Sequence, residues 1–263
     1  MTKKELKELT KEVVLLSRAI GDWMKEQNVS ERVAELKTNN NLVTYVDKES
    51  ERRFVEGLSK LLPSAGFVAE EGTGEAKLGG LNWVIDPLDG TTNFVHGVPI
   101  WCTSIGLVQG HKAVLGVIYD PSRDEMFEAS KENGSYLNGR QISVSEIKSL
   151  EESLMVTGFP YDDFGKEEQY MKLLKHMLHS SRGMRRLGSA ALDMAWTACG
   201  RFEGFYEYGL NPWDVAAGTI IVEEAGGKVT EFDGGDNPIF GEDLSCTNGH
   251  IHEAFYAVLK TYF

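Results

Sequence analysis

The chain has 263 residues, of which 41% are hydrophobic and 25% charged, and its formal net charge at pH 7 is −13. A chain of this length and composition forms one large domain, or two tightly joined halves, around a sizeable core. The acidic charge argues against a nucleic-acid-binding protein, which needs a basic face, but it is compatible with a small phosphorylated substrate whose charge metal ions neutralise.

The first half of the chain is predicted to form two helices and then a sheet. Apolar residues between Leu6 and Trp23 recur in steps of three and four, which predicts a helix of about six turns packed on the core. An extended segment in "NNNLVTYV" precedes a second helix from about residue 48, with Asp47 at its N-cap. The predicted strands are "GFVAEE", "LNWVI" ending at Ile85, "TSIGLVQ" and "AVLGVIYD" as a hairpin around Gly110, "EMFEAS", "GSYLNG" and "RQISVS", with Asn-Gly turns at Asn133 and Asn138.

The second half alternates between strands and helices. Its predicted strands are "SLMVTGF", "RFEGFYEYG" and "GKVTEFDG", and its predicted helices span 166–180, 188–199, the segment from Pro212 to a stop at Gly226–Gly227, and 250–262. A sheet-rich half followed by this alternation predicts an α+β segment joined to an α/β segment. We therefore expect one domain over 1–263, with subdomains 1–150 and 151–263.

The cysteines and the N-terminus favour a cytoplasmic protein. Cys102, Cys199 and Cys246 are widely spaced and show no C-x-x-C pattern, so we expect reduced thiols that act as small buried hydrophobic residues. The N-terminal "MTKKELKELTKEVVLL" is too charged for a signal peptide, and no apolar run approaches the length of a membrane span.

The segment 69–94, "AEEGTGEAKLGGLNWVIDPLDGTTNF", places four carboxylates beside apolar strand residues, with few lysines or arginines nearby: Glu70, Glu71, Asp86 and Asp89. Burying a carboxylate is costly unless a positive charge meets it. Each acid alone has an ordinary interpretation, because Asp-Pro and Asp-Gly pairs are typical of turns and the glutamates suit a solvated loop. The ordinary interpretation of Asp47 is a helix cap. The ordinary interpretation of Asp214 is an acid in the first turn of a helix, where the helix dipole favours a negative charge.

Taken together, these acids indicate a metal site. Asp86 and Asp89 follow an apolar strand with two residues between them, so both carboxylates can converge at its end, with the Leu88 carbonyl as a third oxygen. Carboxylate and carbonyl oxygens without His or Cys suit Mg²⁺ rather than Zn²⁺. No third ligand accompanies His176 and His179, which we interpret as surface or core residues.

A phosphate-binding segment follows the acids directly. In "DGTTNF", Gly90, Thr91 and Thr92 are predicted to open a helix or turn whose free backbone N–H groups form a cradle for phosphate. A cluster of metal ions beside such a cradle is typical of metal-assisted hydrolysis of phosphate esters.

Two long motifs resemble those of a known family. "WVIDPLDGTTNF", with "AEEG" before it, has the form D-P-[IL]-D-G-T-[TS], and "NPWDVAAGTIIVEEAGG" contains the later W-D-x-A-[GA]-G. With "LVTYVDKESE", "GSYLNG" and "RRLGSAALDMAWTACGRFEGFYEYGLN", they resemble the inositol monophosphatase family over most of the chain. The resemblance implies a layered αβαβα sandwich and Mg²⁺-dependent, lithium-sensitive hydrolysis of phosphate monoesters by metal-activated water.

The resemblance also implies the metal ligands. Glu70, Asp86 and the Leu88 carbonyl are similar to the ligands of a first ion. Asp86, Asp89 and Asp214 are similar to those of a second, with Asp86 bridging and Glu70 also contacting a weaker third ion. Two or three Mg²⁺ ions per active site are therefore expected. Glu71 is expected to lie behind these ligands or on the surface.

A catalytic set and a substrate-binding set follow from the same resemblance. Thr91 and Asp47 are expected to form a hydrogen-bonded pair that helps to deprotonate the attacking water, and Glu70 completes the catalytic set. The substrate-binding residues are expected to be Gly90 and Thr91, which hold the phosphate by backbone N–H groups, Ala190, which lines the pocket, Glu207, which contacts a substrate hydroxyl, and Asp214.

The sequence leaves the substrate open. The leading expectation is cleavage of myo-inositol monophosphate to inositol and phosphate, and the first alternative is the same chemistry on fructose 1,6-bisphosphate, NADP or an adenosine bisphosphate. A regulatory family member that binds protein partners is a third hypothesis. Arg185 and Arg186 could reach a second phosphate or be surface charges, and residues 157–163 match no substrate loop clearly. The family usually forms homodimers, so we expect one, with no nucleic-acid or membrane partner.

Overall fold

Two β-sheets alternate with layers of helices in the computed structural model, which describes residues 1–27, 34–36, 42–161 and 164–263. The α-helices in these ranges are α1 (Lys3–Lys25), α2 (Tyr45–Leu61), α3 (Thr91–His96), α4 (Glu167–Ser180), α5 (Ala190–Ala198), α6 (Pro212–Glu224) and α7 (His252–Tyr262). The strands are β1 (Ala34–Leu36), β2 (Leu42–Thr44), β3 (Gly66–Ala69), β4 (Leu81–Asp89), β5 (Cys102–Gln109), β6 (Lys112–Asp120), β7 (Glu125–Ser130), β8 (Ser135–Leu137), β9 (Arg140–Gln141), β10 (Leu154–Thr157), β11 (Gly183–Arg185), β12 (Gly204–Tyr208), β13 (Lys228–Thr230) and β14 (Asp243–Thr247).

The two sheets have different strand orders. The first runs in chain order from β3 to β9, with β3 parallel to β4 and every later pair antiparallel. The second has the order β11-β10-β12-β14-β13, in which β10 is parallel to both neighbours and β14 antiparallel to both of its own. The strands β1 and β2 form a separate antiparallel pair.

The helices complete a five-layer αβαβα arrangement, which confirms the predicted fold class. One face of the first sheet packs against α1 and α2, and its other face packs against α5 and α6. The central helices α5 and α6 also contact the second sheet. Its outer face is covered by α4 and α7. Because the central helices share a core with both sheets, the division into subdomains at residue 150 stays a prediction.

The first helix follows its sequence pattern closely. Leu6, Leu9, Val13 and Ile20 of α1 are buried, as the predicted apolar stripe requires. A capping box between Thr2 and the third helical residue begins the helix. The hairpin around Gly110 and the helix that opens at Pro212 are also confirmed.

Several predicted boundaries were wrong. The second helix begins at Tyr45 rather than near residue 48, because Thr44 is its N-cap. The strand β4 continues past Ile85 to Asp89. "RQISVS" yields only the two residues of β9. Part of the extended segment before α2 and residues 162–163 lie outside the described residues.

Two strands of the second sheet were missed, and their sequences explain why. The edge strand β11 has only three residues, too few to show a periodic pattern. The strand β14 lies between two others and buries polar residues, so it lacks the expected alternation. Its Ser245 hydroxyl lies 3.2 Å from that of Thr230, which satisfies both buried groups.

Three further sequence expectations have structural outcomes. The three cysteines are free, as expected. His176 lies 3.0 Å from the Tyr262 hydroxyl, where α4 meets α7. Among the helices in the described ranges, none has the length and apolar content needed to cross a membrane.

Two glycines let α6 lie directly on the first sheet. A Cβ at Gly116 would lie 2.4 Å from the Ala217 carbonyl oxygen, and a Cβ at Gly106 would lie 2.9 Å from Ala216 Cβ. Ala216 and Ala217 are themselves small, so the helix backbone approaches β5 and β6 closely. This contact determines where the N-terminal turn of α6, which carries Asp214, meets the sheet.

We expect Gly116→Ala to lower the free energy of unfolding by about 1–3 kcal/mol, the usual range for overpacking a tight core. Gly80→Ala is the matched control, because the nearest atom to an added Cβ there is 3.7 Å away. Urea unfolding of both variants measures the difference. Equal stability of the two variants would contradict the close approach of α6.

Candidate active site

Acidic residues from both halves of the chain line one cavity of about 110 Å³. The acids on its wall are Glu70, Asp86, Asp89, Asp193, Glu207 and Asp214. Leu88, Gly90, Thr91 and Ala190 also line it, so the structure brings together every expected site residue except Asp47. Arg186 is the only lysine or arginine on the part of the wall that the structure describes.

A bulge in β4 turns its two aspartates into the cavity. Asp86 lies opposite Ser104 of β5 and Asp89 opposite Cys102, so β4 has one residue more than its partner between these pairs. Pro87, within the bulge, has no N–H to contribute to the ladder. The Leu88 N–H instead donates to Asp86 Oδ1 at 2.9 Å. The strand therefore continues through the acids rather than ending before them.

Asp89 is held by the second half of the chain. Its Oδ2 accepts hydrogen bonds from the Ser189 hydroxyl and from the Ala191 N–H, each at 2.7 Å. Ser189 is also the N-cap of α5, where its side chain accepts from the Leu192 N–H at 3.3 Å. Burial raises the pKa of Asp89 to about 6, although the hydrogen bonds from Ser189 and Ala191 act to lower it.

Asp214 and Glu70 are placed by backbone contacts. The Asn211 N–H donates to Asp214 Oδ2 at 2.7 Å in the capping box that begins α6. The Glu70 N–H donates to the Ile85 carbonyl at 3.2 Å, just beyond the end of β3. Both acids therefore lie at one end of a secondary-structure element, at the edge of the cavity.

Glu51, which the sequence analysis missed, anchors the loop that carries Glu70. This buried side chain of α2 accepts hydrogen bonds from the Glu71 N–H at 2.7 Å and from the Thr73 N–H at 2.9 Å. The side chain of Glu71 does not line the cavity. An acid on the inner face of a predicted helix was the signal that could have identified Glu51.

The expected hydrogen bond between Thr91 and Asp47 is present. Thr91 Oγ1 lies 2.9 Å from Asp47 Oδ1 and 3.1 Å from the Leu88 carbonyl oxygen. Asp47 is fully buried behind the cavity wall, and burial raises its pKa. It is the third residue of α2 rather than its N-cap, because Asp47 Oδ2 accepts from the Thr44 N–H at 2.9 Å in a capping box.

Glu70 and Asp86 both line the cavity, close enough for their charges to interact. Ionised carboxylates at such a distance repel, so a proton or a cation is needed to offset the repulsion. Burial raises the pKa of Asp86 well above its usual range, and the charges of Glu70, Asp89 and Asp214 raise it further. The pKa of Asp214 is raised in the same way, by burial and then by Asp89.

A divalent metal fits this chemistry. Among the described residues, the side chains form no group of three His, Cys, Asp or Glu that is ready to hold an ion as it stands. The oxygen donors and the unbalanced negative charge nevertheless match what a hard cation requires.

Glu207 and Arg186 also line the cavity. Burial raises the pKa of Glu207 to about 8, against the lowering effect of Arg186. A Cβ at Gly158 would lie 1.9 Å from a Glu207 carboxyl oxygen, so a side chain at position 158 would displace the carboxyl from its present position. Arg186 is exposed, and its guanidinium lies 5.7 Å from the centre of the Phe159 ring.

The structure also shows where two segments lie whose roles the sequence left undecided. Arg186 lines the cavity, whereas Arg185 does not, and the Arg185 guanidinium donates to the Met184 carbonyl at 2.9 Å. From the segment 157–163, Gly158, Pro160 and Tyr161 line the cavity, although the sequence assigned no role there.

Comparisons with known proteins identify the family to which this chain is similar. The model of the inositol monophosphatase family matches residues 5–262. An inositol-1-monophosphatase of Rhizobium meliloti is 38% identical over 240 residues, covering 91% of this chain and 89% of that protein. A fructose-1,6-bisphosphatase/inositol-1-monophosphatase of Thermotoga maritima is 38% identical over 238 residues, covering 90% and 88%. The crystal structure of the extragenic suppressor protein suhB of Bartonella henselae superimposes with a TM-score of 0.90 at 35% identity, covering 96% and 98%.

The raised pKa of Glu207 predicts how the free energy of unfolding in EDTA changes with pH. Glu207 has a pKa of about 8 when folded and 4.5 when not perturbed, so its protonated form stabilises the fold below pH 4.5. This contribution, on the order of a few kcal/mol, is lost as the pH rises through the folded pKa. Glu207→Gln should therefore flatten the fall in unfolding free energy between about pH 5 and about pH 9. Urea titrations measure the slope, and the exposed Glu242→Gln is the control that should leave it unchanged.

Proposed function

The chain belongs to the inositol monophosphatase family and is a phosphatase of that family, and we propose that it cleaves myo-inositol monophosphate with Mg²⁺ as its cofactor. The observation that carries the proposal is the cavity that Glu70, Asp86, Asp89 and Asp214 line together, in which the charges of the other three acids raise the pKa of Asp86. Such a group of acids needs cations, and the neighbouring backbone N–H groups suit a phosphate.

The proposed metal ligands are the residues that the family resemblance implies. Glu70, Asp86 and the Leu88 carbonyl would hold one Mg²⁺, and Asp86, Asp89 and Asp214 a second, with Glu70 reaching a weaker third. The Leu88 carbonyl accepts a hydrogen bond from Thr91, but its second lone pair is available to an ion. Bound Mg²⁺ would offset the charge of the phosphate and increase the acidity of a water molecule.

Gly90 and Thr91 are proposed to hold the phosphate. Gly90 has a φ of 93° and is the N-cap of α3. The first N–H groups of a helix have no partner within it, so those that follow Gly90 can donate to phosphate oxygens. A side chain at Gly90 would be strained at this φ, and its Cβ would lie 2.9 Å from the Ile100 carbonyl oxygen.

Thr91 and Asp47 are proposed to take the proton of the attacking water. The Thr91 hydroxyl can accept this proton only if it passes its own to Asp47, which lies at hydrogen-bond distance. Burial raises the pKa of Asp47 and so makes its carboxylate a better proton acceptor than an exposed one. Glu207 is proposed to accept a hydrogen bond from a substrate hydroxyl, and Ala190 is proposed to line the same pocket.

Family membership also supports a cytoplasmic homodimer that lithium inhibits. All three properties are proposals for this chain. Size-exclusion chromatography with light scattering tests whether it forms a homodimer.

The phosphatase proposal is tested by phosphate release from myo-inositol 1-phosphate, with Mg²⁺ and with EDTA. We expect release only with Mg²⁺. Thr91→Val keeps the backbone N–H but removes the hydroxyl, and should lower kcat by about 10²–10⁴ with little change in KM. Thr91→Ser is the matched control and should retain most of the activity. Wild-type protein that releases no phosphate from any ester would overturn the proposal and favour the regulatory hypothesis.

A bisphosphate substrate is the second candidate, and Arg186 is the observation that favours it. This exposed guanidinium lies at the cavity, where it could meet a second phosphate. Arg186→Gln should lower kcat/KM for fructose 1,6-bisphosphate by about tenfold or more, since a hydrogen bond to a charged group contributes roughly 1.5–3 kcal/mol. Arg185→Gln, which changes an arginine outside the cavity, should have no effect. An equal loss on inositol monophosphate would contradict a role in binding the second phosphate.

A further inference from the structure

Asp193 is a buried acid of the cavity wall to which neither the sequence motifs nor the proposed chemistry gives a role. It lies on α5 and is only 1% exposed, yet it lines the same cavity as Glu207 and Asp214. Its Oδ1 has no hydrogen-bond partner among the described residues.

Four other acids near the site are held by hydrogen bonds, and Asp193 is not. Backbone N–H groups bind Asp86, Asp89 and Asp214, and Thr44 and Thr91 bind Asp47. No hydrogen bond or ion pair to the Asp193 carboxyl is found within the described part of the chain. An unpaired buried carboxyl destabilises a fold, so its presence is not explained by stability.

The surroundings of Asp193 make it a partner for a hydroxyl rather than for a phosphate. The charged groups that act on it are Glu207 and Asp89, which are acidic, and Arg186, at the cavity mouth. A phosphate would be repelled by two further carboxyls. A hydroxyl can donate to a carboxylate, and it can also accept from a protonated carboxyl, so it suits either charge state.

We propose that Asp193 is a specificity-determining residue that, together with Glu207, binds the hydroxyl groups of a polyol phosphate. The inference rests on the proposed phosphatase function, because it assigns the substrate's alcohol portion to this side of the cavity. Glu207 from β12 and Asp193 from α5 present two carboxyls from different elements, so they can bind two hydroxyls of one ring at the same time. The unpartnered carboxyl of the free protein gains its missing hydrogen bond when the polyol binds.

The test compares Asp193→Leu with Asp193→Asn on two substrates. Leucine has a similar shape but cannot hydrogen-bond, whereas asparagine keeps an acceptor. For myo-inositol 1-phosphate, Asp193→Leu should lower kcat/KM by about tenfold or more, chiefly through KM, and Asp193→Asn should lower it much less. For p-nitrophenyl phosphate, which carries no hydroxyl, both variants should remain within about twofold of wild type.

Thr197→Val is the matched control. Thr197 is buried one turn further along α5, and its hydroxyl donates to the Asp193 carbonyl rather than to the Asp193 carboxyl. This variant should leave the ratio between the two substrates unchanged. Thermal unfolding provides an independent readout, because removal of an unpaired buried carboxyl should leave Asp193→Leu at least as stable as wild type.

The outcomes separate the two proposals. Equal losses on both substrates, or no loss on either, would overturn the role of Asp193 while leaving the phosphatase function intact. If the wild-type protein releases no phosphate, the phosphatase function fails, and calorimetric titration with myo-inositol then decides the role of Asp193. Binding that weakens about tenfold in Asp193→Leu supports the role, and binding that is absent or unchanged overturns it.

Discussion

The structure depends on the burial of like charges in one place. Burial raises the pKa of Asp86, and the charges of Glu70, Asp89 and Asp214 raise it further. Left to themselves, these carboxyls would separate or turn to solvent. They stay because backbone groups of different elements hold them: the Leu88 N–H for Asp86, the Ala191 N–H for Asp89 and the Asn211 N–H for Asp214.

The hydrogen bonds to Asp89 also join the two halves of the chain. Asp89 leaves the first sheet and is bound at the N-terminus of α5, while α6 lies directly against β5 and β6. A shift of either central helix would therefore disturb the acids as well as the core. Glu51 extends this arrangement to the loop that carries Glu70. Packing and chemistry thus depend on the same few hydrogen bonds.

The residues around the cavity differ in how completely their polar groups are satisfied. Beside the proposed phosphate cradle, Thr91 and Asp47 bond to each other and to neighbouring groups. Elsewhere on the wall, the Asp193 carboxyl has an oxygen without a partner among the described residues, and Glu207 lies against Gly158 with a raised pKa. Unsatisfied polar groups in a cavity are typical of a binding surface, where a ligand supplies the missing bonds.

The sequence by itself determined the mixed α/β character of the chain, the family and the acids that meet in the cavity. The α/β character and the acids were predictable because an apolar stripe, a strand followed by Asp-Pro-Leu-Asp-Gly and a Pro at a helix start are local signals. The layered αβαβα arrangement came from the family resemblance. The roles of Asp47 and Thr91 as a bonded pair came from the family resemblance, since 44 residues of chain separate them. Local patterns alone placed Asp47 at the wrong position of its helix.

Only the tertiary structure decided what lies around those acids. Ser189 on Asp89, Glu51 under the Glu70 loop, and Asp193 in the cavity wall involve residues far apart in the chain or indistinguishable from core positions. The strand β14 was also invisible, because its polar residues find partners only once the sheet forms. Arg185 and Arg186 are neighbours of the same residue type, so their sequence does not distinguish them. Only the fold decides that Arg186 lines the cavity and Arg185 does not.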